Sequence, residues 1–249
     1  MTVARLEIVA RRHQRIAAAP FAEFSVIQVR AGCKRISNGH RQDEIHTGGY
    51  FAVAPGQLVH VENIPAMDEP YRATCLYIPH AWLDGMPTSP TTPAPWAVLP
   101  AERALSQAFA HVEQGLLEAL HDTLLRHRVN ELLAAIALAG FHPPLDPTLR
   151  LGERVRMLLN TQPSHDWRAD DVAQQLAMSA ATLRRRLADE STGFRDILEE
   201  VRLVHGLALV QGSSKPLQQV AAECGYDSPS RFSARFRERF GSLPSALRA

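Results

Sequence analysis

What this 249-residue chain has little of narrows its reading before any motif does. It holds three cysteines, Cys33, Cys75 and Cys224, far apart and without a Cys-x-x-Cys pair. That argues against a disulfide framework and leaves reduced structural thiols as the expectation. No apolar run approaches the ~20 residues of a membrane span. The opening MTVARLEIVARRHQRI lacks the apolar centre of a secretion signal, so a cytoplasmic protein with no membrane partner is expected. Charge of one sign is also missing: 27 Lys+Arg stand against 26 Asp+Glu, a net charge of +1. A general basic field is excluded, and any nucleic-acid binding must come from placement. Lysine is nearly absent, with Lys34 and Lys215 the two in the chain. The remaining cations are guanidinium groups, which suit bidentate contacts to guanine and phosphate, although genomic base composition explains such a bias equally well.

The composition that remains is that of a globular chain with ordinary cores, 45% hydrophobic and 21% charged, long enough for one or two domains. Charge is slightly asymmetric. Residues 1–149 carry 12 Lys+Arg against 14 Asp+Glu, and residues 150–249 carry 15 against 12.

The informative stretch is the last hundred residues, above all LQQVAAECGYDSPSRFSARFRERFGSLPSALR from Leu217 to Arg248. Pro216 suits the first position of a helix, with Ser213 or Ser214 near to cap it. Val220, Ala221 and Cys224 give that helix an apolar side, and Gly225 suits a C-terminus that needs a positive φ. Ser228 can cap a second helix, in which Phe232, Phe236 and Phe240 recur every four residues as one apolar stripe. Arg231, Arg235, Arg237 and Arg239 occupy its other faces. A short helix, a Gly turn and an arginine-bearing helix describe a helix-turn-helix. The plan repeats upstream. Asp170 is a plausible cap for a helix holding Val172, Ala173 and Leu176. Ser179 caps the next, where Leu183 and Leu187 face inward and Arg184, Arg185 and Arg186 do not. A long helical pattern, Phe194 to Val210, joins the two.

Residues 150–249 resemble the AraC/XylS family of bacterial transcription regulators. The family's closing pattern is present as Ala221, Gly225-Tyr226, Ser228, Phe232, Phe236, Gly241, Pro244 and Arg248. The resemblance implies a sequence-specific regulator, an activator, whose partners are double-stranded promoter DNA and RNA polymerase. Its base-contacting positions fall on Ala181, Arg184 and Arg185 in the first module and on Ser230, Arg231, Ser233 and Ala234 in the second. Thr182 joins Ala181 as a candidate for thymine methyls. Ser228 can add contacts to phosphate, and Arg235 and Arg239 meet phosphates or acidic partners on the protein itself.

Residues 5–82 read as short strands broken by Gly, Asn or Pro, which suggests a small antiparallel barrel or sandwich. Gly49, Pro55, Gly56, His60 and Asn63 are similar to the second motif of the cupin barrels. The overall expectation is therefore an α+β chain: a cupin-like β domain over residues 1–100, helices over 101–141, a linker over 142–149 and the DNA-binding domain over 150–249. Cupin enzymes draw two closely spaced histidines from one strand, and no His-x-His occurs here, so no metal and no cofactor is expected. His46 and His60 are the candidates for binding a small-molecule effector. Six prolines from Pro79 to Pro100 predict an extended exit from the barrel. Leu105, Phe109, Val112 and Leu116, then Leu125, Val129, Leu132 and Ile136, are spaced 4, 3, 4. They form seams that either pack internally or build a homodimer, as the resemblance implies for helices in this place. Two other readings remain open: a cupin-type metal-dependent enzyme with a helical appendage, and a regulator whose first half only dimerises. A DNA-repair methyltransferase is disfavoured because no cysteine lies in a recognisable reactive motif.

Overall fold

The computed structural model describes residues 2–83, 86, 94–142 and 150–248. Pro87, Pro90 and Pro93 of the expected exit, and all of the expected linker except His142, lie outside them. The chain forms two compact units, Met1–Leu145 with Leu247–Ala249, and Asp146–Ala246.

Among the described residues the first unit holds nine strands, followed by two helices. The strands are β1 (Ala4–Ala10), β2 (Gln14–Phe21), β3 (Phe24–Ala31), β4 (Cys33–Ser37), β5 (Gln42–His46), β6 (Tyr50–Val53), β7 (Gln57–Ile64), β8 (Tyr71–Ile78) and β9 (Trp96–Leu99). They pair antiparallel into a five-stranded sheet A, β1-β8-β3-β6-β9, and a four-stranded sheet B, β2-β7-β4-β5. The two sheets are not joined by a ladder among the described residues, so the expected barrel is an open sandwich.

Sheet A is buried on both faces, which is why β3 and β6 read as nearly continuous apolar runs. One face, with Phe24, Val26, Tyr50, Ala52, Leu76 and Ile78, packs under the helices α1 (Arg103–Leu117) and α2 (Asp122–Leu138). All eight seam residues are spent there: seven are buried, and Leu116 packs against the same core. The 4, 3, 4 spacing is thus internal packing, and the seams offer no surface to a second copy. Polar ties add to the apolar ones. Glu113 of α1 accepts from Arg5 at 3.0 Å and from Arg30 at 2.5 Å.

The other face of sheet A meets the inner face of sheet B, where strand alternation brings Ile36, Ile45, Val59 and Val61. The same alternation carries a lysine inward. Lys34 is 3% exposed, and its ammonium donates to Asn63 Oδ1 at 2.8 Å beneath the rings of Phe51 and Tyr71. Asn63 in turn donates to Gln14 at 2.9 Å. The Tyr71 hydroxyl is buried without a hydrogen-bond partner among the described residues.

His46 and His60 have the opposite parity and lie on the outer, solvent-facing side of sheet B. His60 Nδ1 accepts from the Ala18 amide at 3.3 Å, where a bulge in β2 leaves that N–H outside the ladder. An effector held between the sheets would meet Lys34 and Tyr71 rather than these two histidines.

The second unit contains α3 (Leu151–Leu159), α4 (Ala169–Gln175), α5 (Ala180–Asp189), α6 (Phe194–Gly212), α7 (Leu217–Glu223) and α8 (Pro229–Phe240). Helices α3, α4 and α5 close one core on the first half of α6, around Val155, Trp167, Val172, Leu183, Leu187 and Ile197. Helices α7 and α8 close another on its second half. There Gly206 leaves room for Phe232 and Cys224, since a Cβ at that position would lie 2.7 Å from the Phe232 ring. Two expected caps differ. Helix α4 starts from Arg168 with no side-chain cap, and Asp170 sits in its first turn, where a carboxylate still favours the helix dipole. Pro216 is itself the residue preceding α7, while Pro229 takes the first position of α8.

Candidate nucleic-acid interface

The two helix pairs make the same turn. At the end of α7 the Gly225 amide donates to Ala222 O at 2.9 Å and the Tyr226 amide to Ala221 O at 2.9 Å. At the end of α4 the Ala177 amide donates to Gln174 O at 3.0 Å and the Met178 amide to Ala173 O at 2.9 Å. Both turn residues adopt positive φ, +73° at Gly225 and +55° at Ala177. Each turn leads to a serine cap. Ser179 Oγ accepts from the Thr182 amide at 3.1 Å, and Ser228 Oγ from the Arg231 amide at 3.2 Å. The serine oxygens and the Thr182 hydroxyl, 2.9 Å from Ser179 Oγ, are therefore engaged in starting the helices. What remains for another molecule at α5 is the Thr182 methyl, Ala181 and the guanidinium groups.

Those groups fall on the open face. Ala181, Arg184, Arg185 and Arg186 are exposed on α5, as are Ser230, Arg231 and Ala234 on α8, and Ser233 is half-buried. Arg184, Arg185 and Arg231 have no ion-pair partner among the described residues. Arg235 differs. Glu199 of α6 takes its Nε and, at 2.6 Å, its Nη2, while Glu238 takes Nη1 at 2.7 Å. Those carboxylates raise its pKa further, so it carries a compensated charge. Arg239 is held likewise by Glu200, with two bonds of 2.7 Å. Of the two roles expected for these arginines, the acidic partner on the protein is the one present. The pairs clip α8 to α6.

Sequence reasoning did not single out Arg195 and Arg202 of α6. Both line a cleft of about 1030 Å³ bounded by α6, the segment before α4 and the turn between α7 and α8, together with Arg231 and Arg235. Arg202 donates to Pro163 O at 3.1 Å and to His165 O at 3.0 Å, and its guanidinium lies where a Cβ on Gly225 would be, at 2.8 Å. One side chain thus joins the approach to α4 to the turn after α7. Arg195 is exposed and has no partner among the described residues. At the start of the unit, Glu190 beyond α5 accepts from the Leu151 and Gly152 amides at 2.8 and 2.9 Å and so caps α3.

Residues 172–249 match a family model described as a helix-turn-helix domain. These residues thus belong to a helix-turn-helix domain. Similar proteins include the HTH-type transcriptional regulator YdeO of Escherichia coli K12, 36% identical over 130 residues, which are 49% of this chain and 50% of that protein. The HTH-type transcriptional regulator GadX of the same strain is 33% identical over 101 residues, 41% of this chain and 36% of that protein. The matches thus span half or less of these relatives. Among solved structures, ToxT from Vibrio cholerae O395 aligns over 98% of this chain and 96% of its own with a TM-score of 0.65. At 15% identity that likeness concerns the fold. A second ToxT structure, from strain SCE256 with an unsaturated fatty acid bound, aligns with a TM-score of 0.59 at 14% identity. No described helix is long and apolar enough to cross a membrane.

Proposed function

We propose that this chain is a sequence-specific DNA-binding regulator of transcription and not an enzyme. The observation that carries the reading is the repeated turn. Two helices of one polypeptide, α5 and α8, each follow the same tight turn and serine cap and each present unpaired arginine at their first exposed turns. Helices so placed enter successive major grooves, about 34 Å apart. Arg184 and Arg185 read guanine edges, while Ala181 and the Thr182 methyl meet thymine. Ser230, Arg231 and Ser233 face the second groove, with the Ser228-capped helix start against phosphate. Arg195 holds the backbone that runs between the grooves. The partner is double-stranded promoter DNA, and the outcome is activation through RNA polymerase.

The N-terminal unit modulates that activity. Support comes from the interior of the sandwich, where a buried ammonium and an unpartnered hydroxyl, Lys34 and Tyr71, suit a small organic anion better than a bare apolar core does. Homodimerisation belongs to the reading as well. The outward leucines Leu124 and Leu138, 55% and 88% exposed, are the surface it would use.

The test is selection of duplexes from a random library by the full-length protein. The expected result is an enriched site with two conserved halves about one helical turn apart. Failure to enrich any sequence, with folded protein, would overturn the proposal.

A further inference from the structure

On the outer face of sheet B, strand alternation gathers three side chains that DNA binding does not use. Cys33 of β4 and His46 of β5 are direct cross-strand partners, and Glu44 is two residues from His46 on the same face. Their inward neighbours, Lys34 and Ile45, are buried. The Cys33 sulfur, a His46 ring nitrogen and a Glu44 carboxylate oxygen lie within 4.8 Å of one another. The other two cysteines are closed to solvent, Cys75 at 1% and Cys224 at 0% exposure. Cys33 is the thiol that a solute can reach.

We propose that Cys33, Glu44 and His46 form a binding site for a thiophilic divalent cation of the zinc type. Thiolate, imidazole and carboxylate are the three donors such an ion takes at about 2.0–2.3 Å, with a fourth position left to water or another ligand. The sulfur donor selects against magnesium and calcium. Closing the donors around an ion asks for rotamer changes of half-exposed and exposed side chains, without movement of the ladder. Because β5 is the edge strand of sheet B, the ion is approached from open solvent.

Glu44 is not idle without metal. It accepts from Arg35 Nε at 2.8 Å and lies 2.7 Å from Arg35 Nη2. Arg35 has a second carboxylate within reach, Glu62 at 3.3 Å on the other neighbouring strand. Metal entry therefore displaces a guanidinium from Glu44 and leaves it on Glu62. The Arg35 side chain acts as a competitor for the site.

A His-x-His on one strand is the usual sequence mark of such a site, and this set does not carry it. Here the donors are split between two strands, with Cys33 thirteen residues before His46, and face away from the sandwich interior.

The full-length protein, reduced and freed of metal by chelation, is titrated with cobalt(II). One equivalent is expected to raise a thiolate-to-cobalt charge-transfer absorption, which zinc then removes. Cys33→Ser should abolish that absorption, His46→Ala should weaken the affinity about tenfold or more, and Arg35→Gln should strengthen it several-fold. Metal-free unfolding curves of the three variants confirm that each is folded, as surface positions should be. No charge-transfer band in the parent protein, a band that survives Cys33→Ser, or an unchanged affinity in His46→Ala would overturn the proposal.

Discussion

Ala177 and Gly225 hold the same place in two successive turns, both with positive φ and both donating to the carbonyl three residues back. They are not energetically equivalent. The left-handed conformation costs an alanine about 1–2 kcal/mol, whereas glycine adopts it freely and loses about 0.5–1 kcal/mol through its more mobile unfolded chain. Ala177→Gly should therefore change stability by less than about 1 kcal/mol. Gly225→Ala meets the Arg202 guanidinium as well as the backbone cost, and should lose about 2 kcal/mol. Thermal unfolding checks this: for a unit of this size the second change should lower the midpoint by roughly 8 °C or more and the first should move it little. Equal losses for both would contradict the asymmetry.

The free and the paired arginines separate two kinds of DNA defect. Arg184→Ala and Arg185→Ala should each lose about 1–3 kcal/mol of discrimination at one or two base pairs. Arg195→Ala should weaken all sequences alike and lower the salt slope by about one. Arg235→Ala removes a charge already met by Glu199 and Glu238, so it should lower the unfolding midpoint while leaving base preferences and salt slope nearly unchanged. Titrations against single-base operator variants at two salt concentrations distinguish the three patterns.

Lys34 makes the stability of the first unit depend on alkaline pH. Burial lowers its pKa to about 8, against about 10.4 in an unfolded chain. Between those values the unfolded chain binds a proton that the folded one does not, so stability rises with pH across the window. The penalty of about 3 kcal/mol is complete below pH 8 and gone above about pH 10.4. Lys34→Met lacks it. Urea unfolding at pH 7 and pH 10 should show wild type gaining on the variant by about 2–3 kcal/mol. Cys75, whose thiol burial pushes up to about 12, contributes an opposite slope to both proteins and cancels in the comparison. A gap independent of pH would show that the ammonium is not desolvated.

Val129 and Leu132 are 0% exposed beneath sheet A. Val129→Asp or Leu132→Asp should unfold the N-terminal unit, at a cost above about 3 kcal/mol, rather than dissociate a folded dimer. Circular dichroism with sedimentation decides it. A variant that keeps its strands and becomes monomeric would return the seam to an intermolecular role.

Local hydrogen bonding was legible in the sequence, and pairing at a distance was not. The Ser179 and Ser228 caps, the positive φ at Gly225 and the Phe232–Phe236–Phe240 stripe each link residues no more than four apart from one to the next, so spacing alone finds them. For Arg235 the sequence leaves phosphate and an acidic partner on the protein both open, because Glu199, which holds it, is 36 residues away. The burial of Lys34 has no local signature, since it follows from the parity of β4 and from rings on a different sheet. His46 and His60 are the expected effector ligands, yet a parity argument from Ile45, Val59 and Val61 turns both outward. The seam spacing identified α1 and α2 correctly but not what they face, because an apolar stripe has the same period against a sheet as against another subunit.

The 19 residues of α6 make a rod about 28 Å long. Arg202 braces the two helix pairs from one side, and the Arg235–Glu199 and Arg239–Glu200 pairs fasten the second to the rod. A rod of set length and twist cannot follow a target whose halves are moved apart. Five extra base pairs between the half-sites would turn one of them to the far side of the duplex, half a helical turn away, where α5 and α8 cannot both reach. On the proposed function, the sites bound should thus share a constant phase between their halves even where the bases between them differ freely, because the connecting helix would act as a ruler laid along the DNA.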